Sequence, residues 1–184
     1  YPDLKVDLML EERVLDLPMR EADVAIRMKE PSQADLIRKR LMMIKMCLYA
    51  TPDYLAEHAA PKNVEDITEQ RLICQNTDSD QVGAGRSLVQ HLMTHSIRST
   101  LTVTNYYGVL QGVLNNLGIG VLPDYVTQDF PDLVQVLPDL ESADVPVFLA
   151  YPEELRQSQR VSAFKDFVQE EIITYRKQLR DKNK

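Results

Sequence analysis

The stretch "STLTVTNYYGVLQGVLNNLGIGVL", residues 99–122, decides the fold class. Residues 99–104 are rich in Thr, Val and Leu, and the run reads as a strand. From Asn105 the period changes: Val109, Leu110, Val113, Leu114 and Leu117 fall at helical spacing. That face stops at Gly118, read as a left-handed terminator, and "GIGVL" at 118–122 supplies the next strand. A strand, a helix and a second strand in this order make the repeating unit of an α/β sheet.

The same alternation extends in both directions. Further strand candidates are 4–10, 23–28, 35–49 in one or two pieces, 71–75, 133–137 and 146–151. Several are rich in Val, Ile and Leu without strict alternation, as strands covered on both faces would be. Short helices are expected at 12–21, at 51–59 behind a Thr cap and an early Pro, and at 63–70. A longer helix over about 158–180 puts Val161, Phe164, Phe167, Val168, Ile172 and Tyr175 on one face. The class is α/β with a mainly parallel sheet. No internal repeat, low-complexity tract or long linker interrupts it.

Composition narrows the function classes. In 184 residues, 44% are hydrophobic and 27% charged, enough to bury a core. No apolar run approaches the roughly 20 residues that span a bilayer. The net charge of −7 opposes non-specific DNA binding by this chain, so the basic runs "IRKR" at 37–40 and "YRKQLRDKNK" at the end read as a solvated strand edge and a helix terminus. Cys47 and Cys74 lie in separate strand candidates and form no C-x-x-C pair, which suits two thiols in a reducing, cytoplasmic compartment.

Catalytic signatures are missing. The chain has no G-x-S-x-G, no phosphate-binding G-x-x-x-x-G-K-[ST] and no G-x-G-x-x-G. His91 and His95 stand four apart, but no Glu follows the first and no third ligand suggests itself, so they read as ordinary histidines with no metal. The carboxylates Glu11, Glu12, Asp16 and Asp23 show no acid–base pairing. Neither an enzyme nor a cofactor is expected. Ligand binding remains, because ligands of α/β sheets sit beyond the carboxyl ends of strands, near helix N-termini. "TNYYG" after strand 99–104, "QNTDSD" after strand 71–75 and Glu12 after strand 4–10 occupy such places. Ordinary helix and turn capping accounts for each taken singly.

Taken in order, the chain resembles the effector-binding domain of LysR-type transcriptional regulators over essentially its whole length. The resemblance rests on "YPDLKVDLML", "RVLDL", "ADVAIRM", "LIRKRL", "LYATPDYLAEHAAPKNVEDI", "VLQGVLNNLGIGVLPDYV", "LVQVLPD", "PVFLAYP" and "RVSAFKDFV". Two departures stand out. "MKEPSQ" follows "AIR" where many members have Gly, and Ala replaces the usual Gly in "EHAAPKN".

The resemblance implies the fold of type 2 periplasmic binding proteins: two Rossmann-like α/β lobes joined by two crossover strands. Lobe I would be 1–29 plus 145–184 and lobe II 30–144, with crossings near Glu30 and Asp144. Lobe I would be incomplete, lacking its first strand and helix, so that 4–10 and 23–28 would flank a gap. The effector cleft would be lined by Glu12, Arg27, Gln75, Asn76, Thr104, Asn105 and Tyr106, with the Arg27 cation suiting an organic acid or amino acid. The implied partners are that small-molecule effector, further copies in a homodimer or homotetramer, and promoter DNA only through an upstream winged helix-turn-helix absent from this chain. An extracytoplasmic solute-binding protein of the same fold is the alternative.

Overall fold

The computed structural model describes residues 1–10, 15–75, 88, 91–92, 99–140 and 144–182. The chain divides into two compact units: Tyr1–Met9, Val14–Met43 and Pro146–Lys184 form the first, Leu10–Arg13 and Ile44–Val145 the second.

The first unit holds a three-stranded sheet. Strand β8 (Val145–Pro152) lies between β1 (Ala25–Arg27) and β2 (Leu36–Ile44). β1 runs antiparallel to β8, with Ile26 opposite Leu149. A strand flanked on both sides reads as a continuous apolar run, and "VPVFLAYP" is buried at every position but one. β2 sits at the sheet edge with Arg38, Lys39 and Arg40 exposed. Charges on such an edge deter pairing with another chain. Residues 30–43, expected in lobe II, group with this unit because β2 belongs to the same sheet as β8. Helix α3 (Gln159–Lys182) closes the unit.

Two expectations fail in this unit. Residues 4–10 form no strand, and Val6, Leu8 and Leu10 are exposed. A strand exists only as part of a ladder, and among the described residues β1 pairs with β8 instead. The helix expected over 12–21 is a turn in its described part, 15–21. Asp16 Oδ1 accepts from Met19 N at 3.2 Å, Glu21 Oε2 accepts from Asp16 N at 2.6 Å, and Arg20 is left-handed with φ 60°. Pro18 lacks the amide that a helix needs, and the Asp16 carboxylate offers the backbone a competing bond. Leu17 is fully buried against Leu36 and Ala150, which fixes the turn on the sheet.

The second unit holds five strands in the order β5-β4-β6-β3-β7: β5 (Ser99–Val103), β4 (Leu72–Gln75), β6 (Ile119–Pro123), β3 (Met46–Ala50) and β7 (Val134–Val136). β4 is parallel to β5 and β6, whereas β3 is antiparallel to β6 and β7. The five-stranded sheet is therefore mixed, not mainly parallel. Runs of Val, Ile and Leu report burial on both faces, which either strand direction satisfies.

Helix α2 (Tyr106–Leu114) packs Val109, Leu110 and Val113 onto Tyr49, Ile73 and Leu122. Its end differs from the expected glycine stop. Asn116 is the left-handed residue (φ 60°), Asn116 N donates to Val113 O at 2.9 Å, and Leu117 N donates to Gly112 O at 3.1 Å. These two bonds make a Schellman motif, and asparagine tolerates the conformation it requires. Gly118 serves close approach: a Cβ there would lie 2.3 Å from Arg71 O, the carbonyl that accepts from Ile119 N at 2.8 Å.

Helix α1 (Pro52–His58) starts as expected, with Thr51 Oγ1 accepting from Tyr54 N at 3.2 Å. Tyr54 is fully buried; its hydroxyl donates to Gln70 Oε1 at 3.1 Å and accepts from Arg71 N at 3.0 Å. The segment expected as a helix at 63–70 is a 3-10 turn, Glu65–Glu69.

Candidate functional site

In the second unit, two parallel strands and one helix bring expected site residues together. β4 and β5 run side by side with Gln75 opposite Val103, so Gln75 and Thr104 lie at the same, carboxyl, end. The chain then turns directly into α2. Asn105 takes extended geometry (φ −145°, ψ 161°) and caps the helix, its Oδ1 accepting from Gly108 N at 2.8 Å. Val109 N donates to Asn105 O at 3.2 Å and opens the intrahelical ladder. Amides ahead of these have no intrahelical acceptor, and with the helix dipole they favour an anion. The close seat of α2 depends on small residues: at Gly112 a Cβ would lie 2.9 Å from the Ile73 side chain.

Gln75 is the one buried polar residue among the described residues, at 4% exposure. Its Nε2 donates to Thr104 O at 3.2 Å, which ties the ends of β4 and β5 together. Its Oε1 is buried with no hydrogen-bond partner among the described residues. Thr104 is exposed and Asn105 and Tyr106 are half-buried. Thr104, Asn105 and Tyr106 thus stand at the start of α2, with the buried Gln75 bonded to Thr104 O.

Of the other expected residues, Arg27 belongs to the first unit and two are not among the described residues. Glu12 and Asn76 lie outside the described residues, as does His95. Arg27 belongs to the first unit, where its Nη2 donates to Leu15 O at 2.5 Å. Burial pulls its guanidinium below the usual range, opposed by the charge of Asp16; it remains a cation. Leu15 O therefore already takes up part of its donor capacity.

The remaining perturbed groups are structural. Asp124 follows β6, its backbone N donating to Lys45 O at 2.8 Å; burial raises its carboxyl, against backbone hydrogen bonds from Lys45 and Tyr125. Burial, then Asp124, raises the Cys47 thiol, which keeps it protonated. Neither cysteine is in a disulfide. Among the described residues no group of three or more His, Cys, Asp or Glu is placed to hold a metal, and no helix is long and apolar enough to cross a membrane. Sequence reasoning placed Gln75 at the site but had no signal for its unpaired oxygen, which depends on burial and on the partner of Nε2.

Comparison with known proteins agrees with this architecture. The family model described as LysR substrate binding domain matches residues 1–172. A probable HTH-type transcriptional regulator, LtrA, of Klebsiella pneumoniae is 28% identical over 180 residues, covering 94% of this chain and 58% of that protein. The chain thus spans a little over half the length of this curated relative. The regulatory domain of CrgA, a LysR-type transcriptional regulator from Neisseria meningitidis, superposes with a TM-score of 0.71 at 21% identity, covering 85% of this chain and 78% of that one. The full-length structure of the Vibrio cholerae virulence activator AphB gives a TM-score of 0.66 at 27% identity, covering 92% and 58%. The α/β fold is that of the type 2 periplasmic binding proteins, and the relatives are transcriptional regulators, not enzymes. With the family model matched over residues 1–172, the chain belongs to the LysR substrate binding domain family.

Proposed function

We propose that this regulatory domain senses a small organic acid or amino-acid-like effector and transmits its binding to a DNA-binding head on the same polypeptide. The observation that carries the ligand part is the convergence of Gln75, Thr104, Asn105 and Tyr106 at the carboxyl ends of β4 and β5, where α2 begins. An anion there meets helix amides and the positive end of the dipole. Regulation then follows from unequal affinity for two arrangements of a homodimeric or homotetrameric protein. The acidic chain leaves promoter contact to the head, and the site of action is the cytoplasm. The name of the Klebsiella relative, an HTH-type regulator of greater length, supports this division of labour.

A thermal-shift screen of small organic acids and amino acids tests the reading. A ligand at one hundred times its Kd stabilises by about 2.7 kcal/mol. Thr104→Val should diminish the shift produced by the best ligand. A shift unaltered by Thr104→Val would refute the assignment of the effector to these residues.

A further inference from the structure

Helix α3 presents apolar side chains that the described residues leave uncovered. Between residues 164 and 175 it carries Phe164, Phe167, Val168, Ile172, Ile173 and Tyr175, and none of them is buried. Helix α2 shows the contrast, with Val109, Leu110 and Val113 all buried. The inner flank of α3 is fixed by Val161, which is buried, and by Gln169, whose Oε1 accepts from Lys39 Nζ on β2 at 2.5 Å. At 3.6 residues per turn, Phe167, Glu170, Ile173, Thr174 and Lys177 fall on the opposite side. All five are exposed, Phe167 at 57% and Ile173 at 53%. Phe167, Glu170, Thr174 and Lys177 follow one another at steps of three, four and three, the spacing of a seam between two packed helices.

We propose that this stripe docks onto the same stripe of a second copy of the chain, with the two helices antiparallel. The charges select that occupant. Glu170 and Lys177 stand about two turns apart, on either side of a midpoint between Ile173 and Thr174. A two-fold axis at that midpoint sets Glu170 of each copy opposite Lys177 of the other, and Ile173 against Thr174. A parallel pair in register would instead set acid against acid and base against base. The stripe is therefore complementary to itself in the antiparallel orientation, as an isologous interface requires. Opposed helix dipoles favour the same orientation. This inference rests on the homo-oligomeric reading given above and adds a surface for it.

Sedimentation equilibrium of the 184-residue, 21.1 kDa chain tests it, and should give twice that mass as concentration rises. Glu170→Lys and Lys177→Glu each bring like charges together at both symmetry-related contacts, and each should weaken self-association at least about tenfold. An equimolar mixture of these two variants should dimerise again, because every contact across the mixed pair is once more acid against base. The doubly reversed chain, Glu170→Lys with Lys177→Glu, should dimerise like wild type. Ile173→Asp should give a monomer. These side chains are exposed, so the substitutions leave folding intact, which circular dichroism checks. A wild-type chain that stays monomeric up to its solubility overturns the homo-oligomeric reading and this inference with it. A dimer that none of the single substitutions weakens, or a mixture that stays monomeric, overturns the docking surface and leaves the homo-oligomeric reading intact.

Discussion

Replacing Gly118 by alanine should destabilise the second unit, although the same change is usually neutral or favourable. Gly118 has no positive φ, so alanine can adopt its backbone conformation. On conformational grounds alone, the lost freedom of the unfolded chain would then stabilise the fold by about 0.4–1 kcal/mol. The opposing effect is steric. The added Cβ would stand 2.3 Å from Arg71 O and 2.9 Å from Arg71 C. Those atoms belong to the backbone beside β4 and cannot swing away as a side-chain tip would. Relief requires β6 to withdraw from β4, which weakens the 2.8 Å bond from Ile119 N to Arg71 O and the pairing of Leu72 with Ile119. Overpacking of this kind costs about 1–3 kcal/mol, and the lost hydrogen bond adds about 1 kcal/mol. Set against the entropic gain, the net loss is about 2 kcal/mol, or about 4–8 °C in Tm for a chain of this size. Thermal and urea unfolding read the stability, and amide exchange at Ile119 should accelerate. Gly108→Ala is the control. Its Cβ would meet the Val103 side chain at 3.2 Å, a softer contact, and helix propensity favours alanine by about 1 kcal/mol, so Tm should barely move. A Gly118→Ala protein as stable as wild type, with Ile119 exchange unaltered, would refute the close-approach reasoning.

Other outcomes follow from single contacts. Tyr54→Phe removes a hydroxyl bonded to Gln70 Oε1 and Arg71 N and should lower stability by about 1–3 kcal/mol in urea titrations. Its loss combined with Gln70→Leu should be less than additive, and full additivity would count against a shared network. Asn105→Ala should cost about 1 kcal/mol by removing the cap on Gly108 N. Asn105→Asp should keep that cap and the stability yet repel an anionic effector, so unchanged acid binding by Asn105→Asp would contradict the placement of the carboxylate. Asp124 has a carboxyl raised from 3.8 by burial, so its favourable linkage is present below pH 3.8 and is lost as pH rises through the folded value. The stability of Asp124→Asn relative to wild type should therefore increase as pH rises above 3.8, and a difference flat or falling with pH would contradict that sign.

The local structure around the candidate site is legible in the sequence. The Thr51 cap, the start of α2 at Asn105 and the strand ends at Gln75 and Thr104 are local features, written in side-chain chemistry and period. The family motifs supplied the rest of the frame, and all of them fall within residues 1–172, which the family model matches.

What the sequence determined by itself is what neighbouring residues decide together: apolar period, caps and turns with an evident stop, beside the net acidic charge. Tertiary structure decided what depends on partners far along the chain. Strand direction is one case, since β3 meets β6 and β7 antiparallel although all three look like interior strands. The turn at Asp16–Glu21 is another, because Leu17 finds burial against Leu36 and Ala150 only in that form. Gly118 appears as a helix stop in the sequence and proves to be the point where β6 touches Arg71. The unpaired oxygen of Gln75 belongs with these. A glutamine is unremarkable until the chain buries it and Thr104 O, 29 residues away, takes its only amide nitrogen. A local pattern specifies which backbone conformation is available; only packing specifies which polar atoms are left without a partner.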